Sequence, residues 1–513
     1  MRWIFFGCFI AVNLSSSAQK IPIQNPSAYV VQSERIEFEV NENSDHFHII
    51  NGFEEGLLII NKQLNKVSDG KIAWKMQLLD SELNVSWEKS VMVPSGSVLL
   101  GWDFANGHFF LLFSRTQYKE EELLVFKIEA YNGHHEAFNI STVFPIKLSH
   151  FEAIDDFVIL GGTANERPVV INYNLQNRIP VVVSGIYDLR NNIEDIILNN
   201  DNTYFSVILS ELFIEKQQTI AINTYSLKNE LIDRKVIDPG EKINLIEGTT
   251  LDFSSEVQYM AGTYSLKSKE SSRGLYLSRF DIGKQTFIKY FDYASLEFFF
   301  EYRGLRREQR LRKRIDARSA EGKNSSYSYK LIIHDLMAND SQLLLIGEAY
   351  YTRHPNHTDF SLSNLRRAQV FSNLEHVYTH TIIVALDTAG TILWDHSFPM
   401  SDVVSDFPTE KVVVNVKGDC IELLYLEKNL IRSKVISGAN VLESNAFTPI
   451  MLGKEDDNWP LKDPILERLE KWYEDYLFAY GEQEIISSKG TENVFRKVFY
   501  INKIGFDHND AFK

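Results

Sequence analysis

Short apolar runs rich in β-branched and aromatic side chains alternate with polar turns along almost the whole chain. Residues 98–102 are followed by 107–114, 157–161 by 169–173, and 343–351 by 381–386. Runs of this length bounded by turn residues predict antiparallel strands, and a helical period of 3.6 residues is confined to two segments.

The turns themselves recur. Leu79-Asp80-Ser81-Glu82-Leu83-Asn84-Val85-Ser86-Trp87 and Leu386-Asp387-Thr388-Ala389-Gly390-Thr391-Ile392-Leu393-Trp394 align without gaps, each with a tryptophan seven positions after an aspartate. Looser copies turn at Glu129, Asn174, Ser226, Asp281, Ser437 and Asn502, a period near 50 residues with one doubled interval between Asp281 and Asp387. A repeat of about 40 to 50 residues holding four short strands is the length of a propeller blade. The fold expected is therefore all-β, a single propeller of eight four-stranded blades, or seven if the region after Ser437 holds one fewer. The last unit lacks a fourth strand, and residues 35–40 (Arg-Ile-Glu-Phe-Glu-Val) alternate cleanly without a partner of their own, so this early strand is expected to close the final blade.

The hairpin at residues 385–394 resembles the repeat of quinoprotein-like bacterial β-propellers, in which an alanine, an aspartate, a turn glycine and a tryptophan recur. Here one residue fewer separates Asp387 from Trp394, and most units lack the tryptophan. The chain as a whole resembles exported, poorly characterised propellers of Bacteroidetes with weak quinoprotein-like or WD40-like repeats. No cofactor is expected.

Length and composition change the picture at three points. A chain of 513 residues with 44% hydrophobic residues would suggest about three domains, which the repeat replaces by one ring from residue 19 to 513. Met1-Arg2, an apolar run to Val12 and Ser16-Ser17-Ala18 read as a signal peptide over 1–18, placing the mature protein in the periplasm or outside the cell. Removing it leaves Cys420 as the single cysteine, so no internal disulfide is available; its strand-like surroundings make it a buried hydrophobe. No later stretch is long and apolar enough to span a membrane.

The third point is charge. There are 69 Asp and Glu against 53 Lys and Arg, which repels nucleic acid over most of the surface. Against that background, an insertion at 295–328 fills the doubled interval. Nine Lys or Arg lie between 303 and 323 against Glu308, Asp316 and Glu321, and Tyr302, Leu305, Leu311 and Ile315 form a narrow apolar stripe. A basic helix lying on the propeller is predicted. Its arginines either pair with acidic blade loops or bind a partner. In the second case Arg303, Arg306, Arg307, Arg310 and Arg314 are the candidate binding residues, and an acidic protein or anionic envelope polymer is the expected partner of a monomer.

Other chemistry is sparse. His354 and His357, with Asp359 nearby, share a loop, but no further ligand can be named, so no metal site is assigned. No phosphate loop, nucleophile elbow or zinc-protease motif occurs. Glu348 and Tyr350, at the end of an apolar strand, are candidates to face a pocket. Asp463-Pro464, with apolar positions at 465, 466, 469, 472, 473 and 476, predicts an amphipathic helix over about 464–477. The resulting reading is a non-enzymatic binding or scaffolding module of the cell envelope. The alternative is a propeller enzyme, a hydrolase or lyase, acting on an extracellular or envelope glycan.

Overall fold

In the computed structural model, the described residues are 26–40, 44–116, 119–199, 203–212, 217–267, 270–323, 325–339, 342–354, 374–453, 457–458, 465–489 and 492–507. The signal peptide expected over 1–18 and the His357–Asp359 part of the histidine loop lie outside them.

Strands of the described residues form eight antiparallel sheets of four principal strands each, and in blades 1 to 7 these follow chain order from the axis outwards. Blade 1 runs from Ser44–Asn51 to Val85–Pro94 and blade 2 from Leu99–Ala105 to His135–Ser141. Blade 3 starts at Lys147–Ile154, blade 4 at Asn192–Leu198, blade 5 at Asn244–Thr250, blade 6 at Lys330–Ile333 and blade 7 at Val413–Lys417. Blade 8 takes Ile465–Lys471, Leu477–Lys489 and Glu492–Phe506 from the end of the chain, and its outermost strand is Val30–Glu39. That strand is antiparallel to Glu492–Phe506, with Ile36 opposite Ile501 and Phe38 opposite Phe499.

The core follows from this geometry. A strand with a blade on either side buries both of its faces. Phe109, Leu111 and Phe113 pack towards blade 1, while the intervening Phe110 and Leu112 pack towards blade 3. The five consecutive apolar residues are thus explained without a helix. Eight apolar clusters result, one between each pair of neighbouring blades, and the one formed by Phe478, Phe499 and Ile501 with Ile49, Leu57 and Ile59 joins blade 8 to blade 1. The first strand therefore shuts a continuous ring.

Seven of the eight repeat turns are hairpins between the third and fourth strands of blades 1 to 7. In the two aligned copies the aspartate organises the turn in the same way. Asp80 Oδ1 accepts the amides of Glu82 and Asn84 at 2.9 and 2.8 Å, and Asp387 Oδ1 those of Ala389 and Thr391 at 3.0 and 2.7 Å. Trp87 then reaches the next blade, donating to the carbonyl of Ala130 at 2.7 Å. The eighth expected turn is corrected. Asn502 lies inside a strand opposite Arg35, because the fourth strand of that blade comes from the other end of the chain.

A second correction concerns residues 464–477. The described part is no helix: Ile465–Lys471 is the innermost strand of blade 8, and a tight turn closed by Trp472 N to Tyr476 O leads into the next strand. The apolar spacing that fits a helix face is used differently. Leu469 packs towards blade 7, and Trp472, in the turn, packs towards blade 1. An unpaired inner sheet edge outweighs local helical preference here.

The insertion is helical. Helix α1, Leu305–Ala320, belongs to the connection from the outer strand of blade 5 to the inner strand of blade 6. Such connections share one end of the ring with the turns between second and third strands, because antiparallel strands alternate ends. The segment before it carries Tyr293, Leu296, Phe299 and Phe300, which extend the core between blades 5 and 6 and receive Leu311.

Candidate functional site

Helix α1 uses its cations in two ways. Arg312 anchors it, donating to the carbonyls of Ala294, Leu296 and Glu297 at 3.1, 2.6 and 2.5 Å. Arg303, in the turn before the helix, is half-buried and reaches the hydroxyls of Tyr302 and Tyr329 at 3.1 and 3.3 Å. It is therefore set apart from the other four arginines. At roughly 100° per residue, Arg306, Arg307, Arg310 and Arg314 fall within about 100° of arc, turned away from half-buried Ile315 and from Arg312. Arg306, Arg307, Arg310 and Arg314 are exposed and make no ion pair with any described residue.

Glu348 lies elsewhere, fully buried in the second strand of blade 6. It is not satisfied by the basic insertion. Its carboxylate accepts the backbone amide of Lys411 at 2.9 and 3.0 Å and that of Val412 at 2.8 Å, and His334 Nε2 at 2.7 Å. A carboxylate only accepts, so the imidazole proton sits on Nε2 and Nδ1 is directed to Glu410, 3.6 Å away. Burial alone would lower the His334 pKa; the Glu348 hydrogen bond and the charges of Glu348, Glu410 and Asp335 outweigh it and raise it. Tyr350 is half-buried against the rings of His376 and Tyr378, 5.4 and 6.0 Å away, and burial raises its hydroxyl. The sequence offered Glu348 and Tyr350 as residues facing a pocket, and neither lines the cleft described below; His334 and Glu410, from an interrupted inner strand and a loop between blades, were not singled out in the sequence.

The inner strands carry further carboxylates. Burial raises Asp103 to about 6, Glu152 to about 9 and Glu247 to about 8, and each of the last two is also raised by neighbouring carboxylates. Part of this set serves the fold. The inner edge of each sheet leaves backbone amides unpaired, and Asp103 accepts that of Ala153 in the next blade at 2.7 Å; Glu247 does the same for Ile333. Glu348 repeats the device between blades 6 and 7. Among the described residues, no group of three or more His, Cys, Asp or Glu is arranged to hold a metal ion. Cys420 is buried, and burial raises its thiol to about 11, so it is an inert core residue.

Beside Glu410, a cleft of about 620 Å³ opens between the loop 402–411, the turn 426–428 and the inner-strand segment 467–470 of blade 8. The loop is an outer-to-inner connection, so the cleft and helix α1 open at the same end of the ring.

No family model matches the chain, and no curated protein matches it. Among solved structures, the polysaccharide lyase Uly1 is similar over 93% of this chain and 100% of its own, at 10% identity and a TM-score of 0.39. A prolyl endopeptidase matches 80% of this chain, which spans half of that longer one, at 10% identity and a TM-score of 0.37. Hydrazine synthase of Kuenenia stuttgartiensis matches 86% of this chain and 95% of its own, at 9% identity and a TM-score of 0.32.

Proposed function

We propose that this protein is an exported β-propeller that binds an anionic partner of the cell envelope through the outer face of helix α1. One observation carries the reading: four exposed arginines, Arg306, Arg307, Arg310 and Arg314, share a helix face without a counterion among the described residues, on a chain whose formal charge is -16. Concentrating unpaired guanidinium groups costs repulsion that a partner's phosphate, sulfate or carboxylate groups relieve. Export rests on the amino-terminal sequence and on the resemblance to exported Bacteroidetes propellers. The test replaces all four arginines by glutamine and compares retention on immobilised sulfated polysaccharide, on polyglutamate and on vesicles containing anionic lipid. Wild-type protein is retained on at least one and the variant elutes at lower salt; equal elution of the two from all three overturns the reading.

A second reading, an enzyme acting on an envelope glycan, is favoured by one arrangement. His334 is oriented by Glu348 and faces Glu410 at the edge of an open cleft, which is the geometry of a proton-transfer group. Release of new saccharide ends from envelope polymer by wild-type protein, lost in His334→Gln, is its expected signature. No release by wild-type protein contradicts it.

A further inference from the structure

The axis of the ring has its own chemistry, apart from helix α1 and from the cleft beside Glu410. A pocket of about 370 Å³ is cut into the inner strands of blades 2 and 3, Leu99–Ala105 and Lys147–Ile154, and is of a size to take a small ligand. Both strands bulge at this level, between Leu99 and Gly101 and between Leu148 and His150, and a bulge re-aims the side chains around it. Leu100, Trp102, Leu148 and Phe151 give the pocket apolar walls, and Trp102 remains 40% exposed, with the His48 ring 5.5 Å from its own. The polar lining is Ser149, His150 and Glu152. Ser149 Oγ and His150 Nδ1 are hydrogen-bonded to each other at 2.8 Å. Glu152 makes no hydrogen bond or ion pair with a described residue, and no lysine or arginine lines the pocket. The charges beside Glu152 are the carboxylates of Asp103 and Asp195. Both oxygens of Asp103 already accept backbone amides, of Phe104 and of Ala153 at 2.7 Å each, so Glu152 is the acid left to face a ligand.

We infer that this pocket binds a small quaternary ammonium ion, with its methyl groups against Trp102 and Glu152 as its counterion. The charge of such an ion is spread over methyl groups, which suit apolar walls and are drawn to an indole face. A primary ammonium brings three N–H donors, for which these walls offer few acceptors, and an anion would meet Glu152, Asp103 and Asp195 unopposed. Binding is tied to a proton. Burial and the charges of Asp103 on blade 2 and Asp195 on blade 4 raise Glu152 to about 9, so the cation displaces a proton from it and affinity rises with pH. The remaining titratable group of the lining, His150, is on the same strand as Glu152.

Calorimetric titration at pH 8 compares choline with 3,3-dimethylbutan-1-ol, which has the same shape without the charge, and with ethanolamine, which has the charge without the methyl groups. Choline binds the wild type, and each analogue binds about tenfold or more weakly. Trp102→Leu and Glu152→Gln each weaken choline by about fivefold or more at unchanged melting temperature. Wild-type affinity rises by about tenfold or more from pH 7 to pH 9, and Glu152→Gln removes this dependence. No binding of choline at about 10 mM, either analogue binding as tightly, a wild-type affinity independent of pH, or full affinity in either variant overturns the inference. The analogue comparison needs only the wild-type protein, so it decides the matter even where a variant fails to fold. The four-arginine variant of helix α1 binds choline like the wild type, so failure of the helix reading leaves this result intact, and the reverse.

Discussion

A few side chains act in ways that their type alone does not announce. Glu348 is the most connected, since one buried carboxylate joins a histidine and two backbone amides across a blade boundary. Glu348→Gln should cost about 2 kcal/mol, the scale of a lost hydrogen bond to a charged group. The loss should also depend on pH. Because the pKa of His334 is raised in the folded protein, its charge stabilises the fold fully below the unfolded value near 6.5, and the contribution fades as pH rises through the folded one. Urea unfolding should therefore show a larger deficit for the variant at pH 5.5 than at pH 8, and equal deficits would contradict the pairing. Gly390 is a second case. It occupies φ +74° at the turn position that Leu83 takes with φ +59° in the other copy, and a Cβ there would approach Lys289 Cδ to 3.0 Å and Phe287 Cε2 to 3.2 Å. Gly390→Ala should lower stability by about 1–2 kcal/mol in the same assay. Residues such as Asp80 and Asp387 were legible in the sequence because their partners lie within four positions. His334 and Glu410 were not, because they meet only when the loop preceding blade 7 passes the inner strand of blade 6.

At the scale of elements, the first strand has more than its ladder to hold it. Arg35, with its side chain 2% exposed, reaches Glu37, the carbonyl of Met451, Asn502 and Gln483 and lies over the Tyr500 ring. Removing this charge leaves buried acceptors unpaired, so Arg35→Met should cost about 3–5 kcal/mol and lower the melting temperature by several degrees. A melting temperature within a degree of wild type would show that the strand is held by backbone pairing alone. Strand period and turn spacing announced strands of blades 2 and 3 closely: segments read at 98–102, 107–114, 157–161 and 169–173 are strands at Leu99–Ala105, His108–Thr116, Phe157–Ala164 and Arg167–Asn174. The same reasoning failed at 464–477, where apolar residues at helical spacing serve two different inter-blade cores. Local pattern reports which residues are buried; it does not report against which neighbour.

For the whole molecule, the doubled interval in the repeat marks the place where the ring carries helix α1, and the charge average conceals it. An acidic body with one basic face should bind its partner by long-range attraction that salt screens. The most direct test is the ionic-strength dependence of binding, measured from about 50 to 500 mM salt against the polyanion that retains the wild-type protein, for wild type and for the variant with Arg306, Arg307, Arg310 and Arg314 changed to glutamine. The expected result is wild-type affinity that falls steeply with salt and a variant that is weaker at low salt and nearly insensitive to it. Parallel curves for the two proteins would contradict the assignment of helix α1 as the binding face.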